Sequence, residues 1–259
     1  MRALKNYHVP NLDRALLVLE VLSRHPSGLN RNELAEKTSC STTMIYRICM
    51  TLTHGGFLVR NEETGLYRLS RKLMDLGCAG SDEYCLASVA WPEMTALRDA
   101  TGVTNMVGCL YNDEEGVVLE VAESRSRMRF VVEKGFRTRD FHTGAGWKSI
   151  LAFYPEERLR AIVKKMTFTK WTEQTIRTPK AFLEDLARVR QQGYALDQQE
   201  ATVGIHCIAA PIFNRKAEAI GTLNISGFTD QLPKKDFEKN GVLVKNAADR
   251  ISRKLGYEG

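Results

Sequence analysis

The chain has 259 residues, of which 43% are hydrophobic and 26% are charged. This balance is typical of an ordinary globular protein of one or two domains, and it excludes a disordered or collagen-like chain. No run of 18 apolar residues is present to span a membrane, and the first residues lack the apolar core of a signal peptide. We therefore expect the protein to stay in the cytoplasm.

Cysteine spacing and charge narrow the function further. The six cysteines are scattered, without a C-x-x-C pair, which favours a reducing compartment and gives no ligand set for structural zinc. Residues 1–80 carry eleven Lys or Arg against seven Asp or Glu, whereas the remaining residues carry 26 against 24. The first third of the chain is therefore expected to bind an anionic partner. From the cysteine spacing and the absence of a cofactor motif, we expect no metal or cofactor.

The first part of the chain is predicted to form three short helices. Apolar residues at helical spacing predict a helix over residues 12–24, with Asn11 as its N-cap. Asn30 and Glu33 form a capping-box pattern that opens a second helix, and Ser41 is placed to cap a third that ends at a pair of glycines. The residues of the first helix expected to form one apolar stripe are Leu12, Ala15, Leu16, Leu19 and Leu22.

The third helix has one apolar and one polar face. Ile45, Ile48 and Leu52 recur at helical spacing on the apolar side. Two short apolar runs on either side of residues 61–65 then predict a β-hairpin. Three helices followed by a hairpin are typical of a winged helix-turn-helix, which we assign to residues 1–70.

The polar face of the third helix is the predicted DNA interface. A recognition helix in the major groove reads base edges, while a neighbouring hairpin contacts phosphates. The same face would also suit a solvated helix or a winged-helix module that binds another protein. At the position of Arg47, some winged helices instead turn an arginine inward to brace the hairpin. The candidate DNA-binding residues are Ser41, Thr42, Thr43, Tyr46, Arg47, Arg60 and Arg68.

The pattern after residue 70 changes to mixed helices and strands. We predict a linker helix over residues 71–82 and an α+β domain over residues 83–259, in which Pro92 breaks or kinks the first helix. Strands are predicted over residues 103–111, 116–122, 128–133, 194–197, 205–213 and 219–226. Helices are predicted after residue 146, over residues 156–165 and 179–192, and at the C-terminus.

Motifs along nearly the whole chain resemble those of the IclR family of bacterial transcription regulators. The matching segments are residues 14–16, 41–47, 193–197, 204–213 and 220–227. The last three are the more specific, because many regulators share a helix-turn-helix. The resemblance implies a DNA-binding homodimer, or dimer of dimers, whose GAF-like α/β C-terminal domain senses a small metabolite.

The resemblance also implies an effector pocket. In family members that sense small carboxylates, pocket residues come from the loop after a histidine, from the Asp and Cys of the C-terminal signature, and from a later strand. The chain departs from the usual pattern at Gly146, Trp147 and Asn224, which bears on the identity of the ligand and not on the existence of a pocket. The implied effector-binding residues are Gly144, Ala145, Gly146, Asp197, Cys207, Asn224, Ile225 and Ser226.

The residues themselves agree with a site for an anion. Residues 144–146 precede a helix, so their amides are available to an anion, and Asn224 and Ser226 offer neutral hydrogen bonds. In the alternative interpretation the glycines only make a tight turn, Cys207 packs in the core and Asp197 is a surface carboxylate.

A small-molecule hydrolase is the main alternative from another functional class. His142 and Cys207 would be its base and nucleophile, but no nucleophile elbow, P-loop or dinucleotide-binding glycine motif is present. We expect His142 and Trp147 to be structural. The predicted function is therefore not enzymatic. The chain is expected to be a DNA-binding regulator that responds to a small carboxylate-bearing metabolite, and a repressor is predicted in preference to an activator.

Overall fold

The computed structural model describes residues 9–73, 76 and 82–259. The chain divides into two compact units, Met1–Ser81 and Asp82–Gly259. Most of the predicted linker helix lies outside the described residues. Within the described part, no helix is long and apolar enough to cross a membrane.

Residues 9–70 form three helices and a two-stranded antiparallel hairpin. This order confirms the predicted winged helix-turn-helix. The elements are α1 (Pro10–Ser23), α2 (Arg31–Thr38), α3 (Thr42–His54), β1 (Leu58–Arg60) and β2 (Tyr67–Leu69).

Helix starts in this unit follow from local hydrogen bonding. Asn30 Oδ1 accepts from the amide of Glu33 at 3.1 Å, and the Glu33 carboxylate accepts from the Asn30 amide at 2.8 Å, which completes the predicted capping box. Ser41 caps α3 through its side chain, also as predicted. The predicted cap at Asn11 is wrong: α1 begins at Pro10, whose fixed φ suits a first turn and whose missing N–H is not needed there.

The buried face of α1 differs from the predicted stripe. Val18 and Leu22 are 0% and 2% exposed and pack into the core of the unit, together with Ile45 of α3. Leu12 and Leu16, which the stripe placed on the same side as Leu22, are 56% and 50% exposed. Apolar residues surround most of this helix, so their spacing does not specify a single face.

The second unit is built on a six-stranded antiparallel sheet with strand order β5-β4-β3-β8-β7-β6. Its mixture of helices and strands confirms the predicted α+β class. The elements are α4 (Asp82–Thr101), β3 (Thr104–Asn112), β4 (Glu115–Ala122), β5 (Arg137–Thr138), α5 (Ala145–Leu151), α6 (Glu156–Lys165), α7 (Pro179–Gln192), β6 (Ala195–Gln198), β7 (Ile205–Phe213), β8 (Ala219–Phe228), a 3-10 turn (Lys234–Asp236) and α8 (Phe237–Lys254).

Helices pack on both faces of the sheet. On one face, α4 and α8 contribute Met94 and Val244 to a buried apolar core. On the other face, α5 and α7 contribute Ile150 and Phe182 to a second core, which α6 also joins. The sheet is therefore buried on both sides, and polar side chains inside it need partners within the protein.

Two local predictions in this unit are wrong. At Pro92 the predicted break is wrong: α4 continues through the proline, and Ala90 and Met94 on either side of it are buried in the core on that face of the sheet. Residues 128–133 form an irregular loop instead of a strand, and the strand that pairs with β4 on its side away from β3 is β5, further along the chain. Phe130 and Val132 of that loop line a cavity, so the apolar pattern of this segment did not reflect sheet pairing.

Candidate functional site

The polar side of α3 is open to solvent. Thr43, Tyr46 and Arg47 are exposed, while Ile45 and Ile48 on the opposite side are buried. The Arg47 guanidinium makes no hydrogen bond or ion pair with any described residue. The helix therefore presents hydroxyl, phenol and guanidinium groups together on one surface. The residues exposed along its first turns are Ser41, Thr42, Thr43, Tyr46 and Arg47.

The two hairpin arginines are exposed but differ in their contacts. Arg68 Nε donates to the carbonyl oxygen of Ser27 at 2.8 Å and so fastens the hairpin to the loop before α2. Arg60 lies 3.3 Å from the carboxylate of Glu62 and stacks over the ring of Tyr67. Bracing of the hairpin thus falls to Arg68 rather than to an arginine of α3.

The second unit contains a cavity of about 280 Å³ on the face of the sheet that carries α5. A cavity of this size suits a small organic ligand. Of the residues implied by the resemblance, Ala145 is buried in the adjacent core and Ile225 lies on the opposite face of β8, because successive strand residues alternate between faces. Those that line the cavity are Gly144, Gly146, Asp197, Cys207, Asn224 and Ser226.

Neutral polar groups lie together on β7 and β8. Ser226 Oγ donates to Cys207 Sγ at 3.1 Å, and Asn224 Oδ1 is buried without a hydrogen-bond partner in the described structure. Burial raises the pKa of the Cys207 thiol well above its usual value, so the nucleophilic thiolate is not populated at neutral pH. His142 Nε2 lies 2.9 Å from the carbonyl oxygen of Thr169, which suits a structural role.

Trp147 occupies one wall of the cavity. A Cβ atom added at Gly116 or Gly144 would lie 2.6 or 2.8 Å from its indole ring, and one at Gly108 would lie 3.3 Å away. These glycines leave the space that the indole fills. Trp147 was predicted to be structural, and its place in the cavity wall was missed. The signal was the departure from the family pattern at Trp147, together with glycines in β3 and β4.

A buried charge cluster lies behind the cavity wall. Lys148 is fully buried, with Nζ 2.8 Å from Glu200 Oε2 and 3.0 Å from Asp185 Oδ2. Burial acts to lower the pKa of Lys148, but the two carboxylates outweigh it and the pKa is raised. Asp197 Oδ1 accepts from the Glu200 amide at 2.7 Å. Burial raises the pKa of Asp197 to about 6 and that of Glu200 to about 7, although Lys148 acts to lower both.

Several cavity residues had no signal in the sequence. The irregular loop contributes Phe130, and Phe136 lies just before β5. Asp140 lies in the connection before α5, and Trp171 in the connection before α7. Loop residues of this kind have no periodicity from which their direction can be predicted. Among the described residues, no group of three His, Cys, Asp or Glu side chains is arranged to hold a metal ion.

Comparison with known proteins decides the family. Residues 81–253 match the profile described as Bacterial transcriptional regulator IclR C-terminal, and residues 11–62 match the IclR helix-turn-helix domain. The chain belongs to the IclR family. It is therefore a transcriptional regulator with a helix-turn-helix domain and an effector domain, and not an enzyme.

Individual IclR-family relatives match over nearly the whole chain. The regulator BhcR of Paracoccus denitrificans is 32% identical over 241 residues, which are 93% of this chain and 85% of BhcR. The crystal structure of Thermotoga maritima IclR is 28% identical, with a TM-score of 0.74 over 96% of this chain and 100% of that one. An IclR homologue from Microbacterium hydrocarbonoxydans, solved with 4-hydroxybenzoate, shares the fold at 20% identity and a TM-score of 0.75, over 95% of this chain and 98% of that one.

Proposed function

We propose that this IclR-family regulator is a repressor that binds operator DNA through α3 and the hairpin. A small organic acid in the cavity of the second unit changes its affinity for that operator. The observation that carries the proposal is the combination of an open polar face on α3 with a ligand-sized cavity in the second unit. Because the partner is operator DNA, we propose that the protein acts in the bacterial cytoplasm.

The exposed side of α3 supports reading of the major groove. Thr43, Tyr46 and Arg47 are proposed to face base edges. The Arg47 guanidinium, which has no partner among the described residues, is available for paired hydrogen bonds to a guanine. Ser41 and Thr42, at the start of the helix, are proposed to contact phosphates. The remaining phosphate contacts are assigned to Arg60 and Arg68.

A single winged helix contacts few base pairs, so we propose that the protein binds paired half-sites as a homodimer or a dimer of dimers. The exposed leucines Leu12 and Leu16 provide apolar surface on α1 for such an association. In this proposal residues 1–70 bind DNA, residues 71–82 link the domains, and residues 83–259 bind the effector and oligomerise.

The cavity supports an organic acid as the effector. Helix α5 begins at Ala145 after an N-cap, Gly144, that offers no side-chain hydrogen bond, so its first amides are available to a carboxylate. Asn224 and Ser226 add neutral polar groups, and Ile225 supports them from the opposite face of β8. The Microbacterium relative solved with 4-hydroxybenzoate is consistent with this ligand class.

Binding of Arg47→Ala to DNA tests the DNA-reading part of the proposal. We expect operator affinity, measured by fluorescence anisotropy on a duplex selected from a random library, to fall by about 1–3 kcal/mol. Arg24→Ala, which removes an exposed charge from the end of α1, is the matched control and should bind normally. Unchanged affinity of folded Arg47→Ala would remove Arg47 from the interface. If the wild type binds no duplex at low salt, the winged helix is a protein-binding module instead.

A further inference from the structure

The cavity has an unbalanced charge. The described residues that line it include two acidic residues, Asp140 and Asp197, but no Lys or Arg. The Asp140 carboxylate makes no ion pair or hydrogen bond with a described residue. The hydrogen bonds of Asp140 to described residues are made by its backbone, whose carbonyl oxygen accepts from Thr143. A carboxylate that loses water when a ligand binds needs a compensating charge or donor.

The nearest buried cation does not supply that compensation. Lys148 already binds Glu200 and Asp185 through Nζ, at 2.8 and 3.0 Å. The one ammonium group therefore serves two carboxylates directly and a third, Asp197, at longer range. An effector whose only charge is a carboxylate would add one more negative group to this region.

The remaining walls favour a positive group. Four aromatic side chains line the cavity, and aromatic faces attract organic cations. Asn224 Oδ1, a buried acceptor without a partner in the described structure, calls for a donor. Apart from the α5 amides proposed to bind the carboxylate, the lining thus offers a buried side-chain acceptor and two acidic residues to the rest of the ligand. The four aromatic residues are Phe130, Phe136, Trp147 and Trp171.

We propose that the effector is a zwitterion, an organic acid that also carries an ammonium group, and that Asp140 and the aromatic walls bind the ammonium. The inference rests on the proposed function, in which the cavity binds an organic acid. It narrows the ligand class from carboxylates in general to amino acids, betaines and related ammonio acids. Asp140 is a specificity-determining residue in this arrangement.

Two pairs of probes isolate the ammonium group. In each pair the acid is kept while the charged tail is replaced by a neutral group of similar shape. The first pair is 4-(aminomethyl)benzoate and 4-(hydroxymethyl)benzoate, and the second is trimethylammonioacetate and 3,3-dimethylbutanoate. Binding to the full-length protein is measured by isothermal titration calorimetry. We expect the zwitterion of at least one pair to bind about tenfold more tightly than its neutral-tailed partner.

Variants assign the preference to the proposed residues. Asp140→Asn should abolish the preference for the zwitterion, and Trp171→Leu should reduce it. Glu133→Gln, which neutralises an exposed acid outside the lining, is the matched control and should keep it. Circular dichroism checks that each variant is folded.

The outcomes separate this inference from the proposed function. If the neutral-tailed acids bind as tightly as the zwitterions, or more tightly, the inference is overturned while an organic-acid effector stands. The inference is also overturned if neither zwitterion binds at millimolar concentration, or if Asp140→Asn keeps the full preference. The proposed function fails separately, if no ligand of the cavity alters operator binding.

Discussion

The exposed face of α3 and the cavity of the second unit differ in how their polar groups are satisfied. Thr43, Tyr46 and Arg47 remain in water until a partner arrives, so the folded state bears no cost for them. Lys148 and Asp197 are buried and depend on partners inside the protein. Substitutions on α3 are therefore expected to change binding without stability, whereas substitutions around the cavity change both.

The largest expected effect comes from removing the buried cation. Lys148→Met leaves Glu200 and Asp185 without their shared ammonium, and we expect the free energy of unfolding of the second unit to fall by about 3–5 kcal/mol, as for other broken buried pairs. Urea denaturation measures the change. Lys164→Met, on the exposed side of α6, is the matched control. A loss below about 1 kcal/mol would mean that the cluster is well hydrated, and would weaken the contrast with α3.

The packing of the cavity wall gives the next effect. Gly116→Ala places a methyl group within 2.6 Å of the Trp147 ring, and overpacking of this kind costs about 1–3 kcal/mol. Adding Trp147→Leu should restore part of the lost stability, because the smaller side chain makes room. Thermal unfolding of the two single variants and the double variant forms a cycle. Additive effects would contradict the proposed fit between indole and glycines.

The pH dependence of stability gives a smaller effect. Burial raises the pKa of Asp197 to about 6 and that of Glu200 to about 7, so the folded state holds protons that the unfolded chain releases. These two groups therefore lower the free energy of unfolding as pH rises from about 4 to about 7. Glu200→Gln should flatten this dependence by about 1 kcal/mol relative to Glu133→Gln, in urea titrations across that range. Parallel curves would show that Glu200 is ionised throughout.

The first unit is predictable from sequence because its signals are local. The Asn30–Glu33 capping box and the Ser41 cap each involve residues within three positions, and the faces of α3 follow from one period. Leu12 and Leu16 were misplaced because α1 is apolar on most sides, so only packing selects its buried face.

The cavity is less predictable because its parts are distant in the sequence. The family resemblance supplied six of its lining residues, but strand alternation placed Ile225 on the other face of the sheet. Phe130 lies in a segment that was predicted to be a strand, and no local pattern indicates its direction. Lys148 was overlooked because its partners, Asp185 and Glu200, become neighbours only in the folded chain.

Operator binding with and without effector tests the central claim, that occupancy of the cavity changes the affinity of α3 for DNA. The double variant Ser226→Ala/Cys207→Met alters the cavity alone, while Ile225→Val, on the other face of β8, is the control. The effector used is an acid identified by thermal shift, and operator affinity is measured by fluorescence anisotropy. In the wild type the acid should change operator affinity by about 1–3 kcal/mol. The double variant should bind the operator within about twofold of the wild type when no acid is present, and the acid should not change that affinity. A normal effector response in the folded double variant would contradict the account, because the effector would then be bound elsewhere.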